Sequence, residues 1–132
     1  MVTGAIFGLL AVVLGAFGTH GLEDKITTGQ IASFNTGTNY QMLHALLLLI
    51  VGVAVGRFRK SGITPTRALI AAYWLIALGV VFFSGSIYLL MTDELLGADL
   101  GFLWPVTPLG GSMLIAAWVV LLVNFLRIKS RY

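Results

Sequence analysis

The chain has 132 residues, 58% of them hydrophobic and 10% charged, with a formal net charge of +3. A soluble domain carries roughly 25% charged residues, so this chain lacks the polar surface to face water; its mean hydropathy of +0.98 agrees. It reads as an integral membrane protein, and the absence of cysteine excludes disulfides, thiolate metal sites and thiol nucleophiles.

A membrane-spanning helix needs about 20 mostly apolar residues, and four segments qualify. The first covers about 3–19. "MVTGAIFGLLAVVLGAFG" has no Lys or Arg before its apolar run and no A-x-A-like site, so it is expected to stay as a membrane helix rather than be cleaved as a signal. Gly4, Gly8, Ala11, Gly15 and Gly18 recur every three or four residues, a continuous small-residue face suited to close helix packing. "GTHGLEDK" (18–25) then ends the span with His20 and three charges.

The second span covers about 38–57 and is expected to start earlier than its apolar part. Thr27 followed by Gln30 forms a capping-box pattern, and residues 28–37 read as an amphipathic lead-in to this helix. Gly29 and Gly37 weaken it and mark Gly37 as a place for a bend. The third span covers about 67–91, preceded by the short turn "SGITPTRA", in which Thr64 or Thr66 would cap the helix. The fourth covers about 106–127. Phe102 and Trp104 precede it at a membrane boundary favoured by aromatics, and Pro105 and Pro108 fit a helix start. Ala45, Gly52 and Gly56 in span two, and Ala68, Ala72, Gly79 and Ser86 in span three, continue the small-residue pattern. A tight bundle is the expectation, with an oligomer interface as the alternative use of one stripe. The whole chain, residues 1–132, forms a single all-α, four-helix transmembrane bundle on this reading.

Charge sets the orientation. Arg57, Arg59, Lys60, Arg67, Arg127, Lys129 and Arg131 fall on one side of the predicted spans, and only Lys25 on the other. All five acids (Glu23, Asp24, Asp93, Glu94 and Asp99) share the side of Lys25. The positive-inside rule places the seven bases, and both termini, in the cytoplasm. Topology thus accounts for the basic residues, and no nucleic-acid partner is expected.

Polar side chains gather at one depth near the acidic end. His20 closes span one, and Tyr40, Gln41 and His44 open span two at helical spacing. At 1.5 Å per residue His44 lies roughly 9 Å in from residue 38, and Ser84 roughly 10 Å in from the end of span three. Ser84, Ser86 and Tyr88 therefore reach the level of His44, and Thr107 opens span four nearby. The other half has only Asn124 to compare. Polar groups in lipid are normally paired or face the protein interior. In the favoured reading His44 bonds Ser84, Tyr88 or Gln41 and ties span two to span three. In a second, the cluster lines an outward-facing pocket for a lipid headgroup, quinone or small polar solute. In a third, His20 and His44 act as ligands or as a proton relay. Two histidines without a carboxylate at ligand spacing make a poor metal site, so no metal or other cofactor is expected. No carboxylate, lysine or arginine lies deep within a span, which argues against an ion-driven pump.

The motifs "LGAFGTHGL" (14–22), "FNTGTNYQMLHALLLL" (34–49), "FFSGSIYLL" (82–90) and "TPLGG" (107–111) together resemble the family of small bacterial membrane proteins called domain of unknown function 423. The small eukaryotic transmembrane protein 256 looks similar. The resemblance covers nearly the whole chain and implies a four-span protein of the bacterial cytoplasmic (inner) membrane. It brings no activity and no catalytic residues. His20, Tyr40, Gln41, His44, Ser84, Gly85, Ser86, Tyr88, Thr107, Pro108 and Gly110 match the family's motif positions. The expected role is therefore non-enzymatic: a structural or accessory protein, as a homo-oligomer or within a larger membrane complex. A binder or conduit for a lipid-like or polar ligand is the alternative.

Overall fold

The computed structural model describes residues 1–129; Arg131, counted among the basic residues above, lies outside them. Helix α1 (Val2–Ala16) runs into a widened π-helical turn, Phe17–Gly21. Helix α2 spans Thr28–Lys60 and α3 spans Arg67–Met91. A single turn of helix, α4 (Asp93–Leu96), and a short 3-10 turn (Gly101–Leu103) lead to α5 (Val106–Lys129). Among the described residues α1 with its π turn, α2, α3 and α5 are each long and apolar enough to cross a membrane. The expected all-α bundle of four membrane helices is thus what forms.

The caps follow from the residues at the helix ends. Thr27 Oγ1 accepts from the Gln30 amide at 3.2 Å while Gln30 Oε1 accepts from the Thr27 amide at 2.8 Å, completing the capping box. Thr66, not Thr64, caps α3 by accepting from the Leu69 amide at 3.2 Å. At 33 residues, α2 is about 50 Å long, well beyond a hydrocarbon core of about 30 Å. Its helical structure begins at Thr28, ten residues before the predicted apolar part, as expected for the lead-in. The helix runs unbroken through Gly37, the place marked for a bend. A Cβ there would sit 2.9 Å from the Tyr88 ring and 3.3 Å from Ile87, so this glycine admits α3 at close range.

Each spanning helix packs on its neighbours in the chain, giving the spatial order α1–α2–α3–α5. A glycine marks every crossing. A Cβ on Gly4 would lie 2.9 Å from the Ala45 carbonyl oxygen, fixing how closely α1 meets α2. Gly37 does the same for α2 and α3, and Gly110 of α5 sits directly on the backbone of Phe82 and Phe83 in α3. Lipid gives helices no hydrophobic incentive to associate, so such approaches, with their dispersion contacts, supply much of the attraction. Most of the small-residue face of α1 is used inside the molecule: Gly4 and Gly8 lie on Ala45, and Gly18 on Phe34. The apolar core belongs to α2, α3 and α5, with Leu48, Ile76, Val80, Leu114, Ala117 and Leu121 all buried.

The loops segregate by charge. Glu23, Asp24 and Lys25 occupy the α1–α2 turn, where Asp24 adopts a positive φ of 63°, a conformation tolerated by Asp better than by most residues. Asp93, Glu94 and Asp99 lie between α3 and α5 at the same end. The last turn of α2, with Arg59 and Lys60, and the α2–α3 turn after it, with Gly62 (φ 70°), form the opposite, basic end.

Candidate functional site

The polar cluster near the acidic end resolves into separate ties, each joining particular helices. Gln41, 4% exposed, is the central one. Its Nε2 donates to the Phe7 carbonyl of α1 at 2.8 Å, and its Oε1 accepts from the Tyr88 hydroxyl of α3 at 2.7 Å. One side chain on α2 thereby holds both neighbouring helices. Ser84, fully buried, donates to the Gly37 carbonyl at 2.8 Å. The glycine allows the close approach, and the serine bonds across it. Ser86 donates to the Phe83 carbonyl at 3.0 Å and lies 2.7 Å from Thr107 Oγ1. With the serine proton committed to the carbonyl, Thr107 is the donor between the two hydroxyls, and it links the start of α5 to α3.

His44 does not bond Ser84, Tyr88 or Gln41, contrary to the sequence expectation. Its Nδ1 lies 2.7 Å from the Tyr40 carbonyl one turn earlier, and its Nε2 lies 3.2 Å from Trp118 Nε1 on α5. A carbonyl only accepts and an indole N–H only donates. Together they select the tautomer with the proton on Nδ1 and the lone pair on Nε2. The reason for the difference is rotational: successive helix residues are about 100° apart, so Gln41 faces α1 and α3 while His44 faces the side on which α5 lies. The histidine thus ties α2 to a helix that is not its chain neighbour.

Trp118 was the missing partner. An aromatic within "LIAAWVVLL" reads as a lipid-facing residue, and the side chain is indeed 48% exposed. Its position held the clue, because tryptophan favours the membrane interface and this one lies twelve residues into α5. An indole N–H at that depth needs an acceptor within reach.

Tyr40 is 44% exposed, stacks on His44 with ring centroids 6.0 Å apart and meets Phe83 at 4.9 Å. These rings, with Trp118, border an open groove of about 500 Å³ between α2 and α5, floored by Leu114 and Gly111. His20 stands apart: it is exposed in the π-helical turn, and no hydrogen bond joins it to the other seven candidate residues among those described. Behind it, Leu22 is fully buried, and Phe34 packs on Tyr88 at 4.8 Å and on Phe17 at 6.4 Å. Among the described residues no three His, Asp or Glu side chains gather closely enough to hold a metal ion.

Four apolar helices, small residues at their crossings and paired polar side chains toward one end define a multi-span integral membrane protein. Residues 14–111 match the model of the family described as protein of unknown function (DUF423), and the chain belongs to that family. It is 40% identical to the UPF0382 membrane protein YwdK of Bacillus subtilis, covering 93% of this chain and 92% of that one. It is 39% identical to the UPF0382 membrane protein SH2409 of Staphylococcus haemolyticus (94% and 92% covered). With the UPF0382 inner membrane protein YgdD of Escherichia coli K12 it shares 36% identity (99% and 92% covered). No solved structure matches the chain. The family's description carries no enzymatic activity, and the relatives are named only as membrane or inner membrane proteins.

Proposed function

We propose that the protein is a small structural or accessory component of the bacterial cytoplasmic membrane, without catalysis of its own. One observation carries this reading: Gln41, His44, Ser84 and Ser86, the buried polar side chains among the candidates, all have their hydrogen-bonding groups engaged by protein partners. Side chains arranged in this way hold helices together and present little free chemistry to a substrate. The protein then acts through what docks on it, as a homo-oligomer or as a subunit of a larger membrane complex. Both termini lie in the cytoplasm on this reading, supported by the seven basic residues on one side of the spans.

The groove beside His44 favours a second reading, a binder or conduit for a lipid-like or small polar ligand. Tyr40 and His44 border that groove directly; the other candidates, His20, Gln41, Ser84, Ser86, Tyr88 and Thr107, do not line it and would belong to such a site only through the wider polar cluster. Native mass spectrometry of the protein extracted with its lipids, beside His44→Ala, separates the two. For a structural role the variant carries the same mass pattern as the parent and is less stable by about 1 kcal/mol in detergent unfolding. A bound mass that accompanies the parent and vanishes from a folded His44→Ala protein overturns the structural reading in favour of the ligand. Gentle extraction with crosslinking is expected to return one reproducible partner, a second copy included, and a C-terminal reporter is expected to be shielded from the outside.

A further inference from the structure

At the basic end, far from the cluster, α3 and α5 leave a second open groove of about 420 Å³. Arg67 at the start of α3 and Arg127 near the end of α5 flank it, and Ala68, Ala71, Val119 and Val123 form an apolar wall between them. Asn124 lines the same groove and is 6% exposed. Its Oδ1 accepts from the Thr66 hydroxyl at 3.1 Å. Its Nδ2 has no acceptor, the sole buried side-chain polar atom in that condition among the described residues. A buried donor left without an acceptor is unfavourable, so the groove asks for an oxygen. The start of α3 adds to this. Thr66 occupies the Leu69 amide, while the Arg67 and Ala68 amides have no carbonyl to meet within the helix and form the positive end of its dipole.

We propose that this groove holds one anionic phospholipid, its phosphate between Arg67 and Arg127 and an acyl chain along the alanine and valine wall. Several features select that occupant over a neutral lipid. Two guanidiniums on long stems can reach the headgroup level from helix ends while their methylenes stay in the apolar layer, and guanidinium suits phosphate geometry. Basic pockets between membrane helices bind anionic headgroups on this physical ground. The phosphate or glycerol-ester oxygens are acceptors of the kind that Asn124 lacks.

The test uses the full chain, purified in detergent and supplied separately with palmitoyl-oleoyl-phosphatidylglycerol and palmitoyl-oleoyl-phosphatidylcholine, read by native mass spectrometry. The parent is expected to retain one phosphatidylglycerol at collision energies that strip phosphatidylcholine. Arg67→Gln with Arg127→Gln should reduce that adduct about tenfold or more. Arg57→Gln with Arg59→Gln removes equal charge from the same end and should leave it unchanged. Ala71→Leu keeps every charge but fills the wall, and should also lose the adduct; it decides the matter if the double arginine variant does not fold. Equal retention of both lipids, equal loss in the two arginine pairs, or full retention in Ala71→Leu would each overturn the proposal.

Discussion

Replacing Gly110 by alanine is expected to push α3 away from α5, whereas the same change at Gly79, on the other side of that contact, should cost clearly less. Both glycines sit where a Cβ would intrude, and the difference lies in what it would meet. At Gly110 it would overlap the Phe82 and Phe83 backbone, which has nowhere to go without moving a whole helix. At Gly79 the nearest atoms are Leu114 Cδ2 at 2.7 Å and Cγ at 3.0 Å, with the Gly110 carbonyl oxygen at 3.3 Å, so a buried side chain rather than a helix backbone must do most of the yielding. Overpacking of the first kind costs about 3 kcal/mol or more. At Gly79 the improved helix propensity of alanine, about 1 kcal/mol, offsets part of the repacking. Reversible unfolding in mixed detergent should show a large loss for Gly110→Ala and a smaller one, about 1 kcal/mol, for Gly79→Ala. Similar losses at both positions would mean that α3 and α5 do not meet through Gly110.

Gln41→Leu is expected to be the most damaging change among the polar residues, by about 2 kcal/mol, because it removes two interhelical bonds at once and leaves the Tyr88 hydroxyl without its acceptor. Tyr88→Phe breaks only one of these bonds and should cost about 1 kcal/mol. The double variant should fall short of the sum, with a coupling of about 0.6–1.7 kcal/mol, the range of hydrogen bonds between membrane helices. Strict additivity would show that Gln41 and Tyr88 act independently. Gln41→Glu supplies a further check, since it keeps an acceptor for Tyr88 and loses the donor to Phe7. Its stability at neutral pH should also fall, because a carboxylate would then be buried against the Phe7 carbonyl oxygen.

The membrane helices were legible because hydropathy is a local property: an apolar run of the right length is sufficient, and "RALIAAYWLIALGVVFFSGSIYLLM" gave α3 residue for residue. The capping box was legible for the same reason, with donor and acceptor three residues apart. The level of the polar cluster could be read from rise per residue alone. What rise per residue cannot supply is rotation. Tyr40, Gln41 and His44 lie within about one turn and meet different partners, Phe83 of α3, Phe7 of α1 with Tyr88 of α3, and Trp118 of α5, a distinction that depends on how closely α1, α3 and α5 approach α2. That approach is set by Gly4, Gly37 and Gly110 on helices far apart in the chain. Trp118 was hidden by the company it keeps, since its neighbours are all apolar. Gly37 was legible as a special position, but its contact with Tyr88 and Ile87 was not: in sequence a glycine that loosens a helix looks the same as one that admits a neighbour.

The spatial order of the helices also bears on how the molecule is assembled. Because α1, α2, α3 and α5 pack in the order in which they are synthesised, each segment entering the bilayer finds its docking surface already present. The loops to be closed are short, so little chain entropy opposes each step. The bond from Trp118 to His44, 74 residues apart, is then among the last to form, a latch that closes only after the final helix has arrived. A ribosome-bound chain truncated before Trp118 would hold α1, α2 and α3 together and lack that latch.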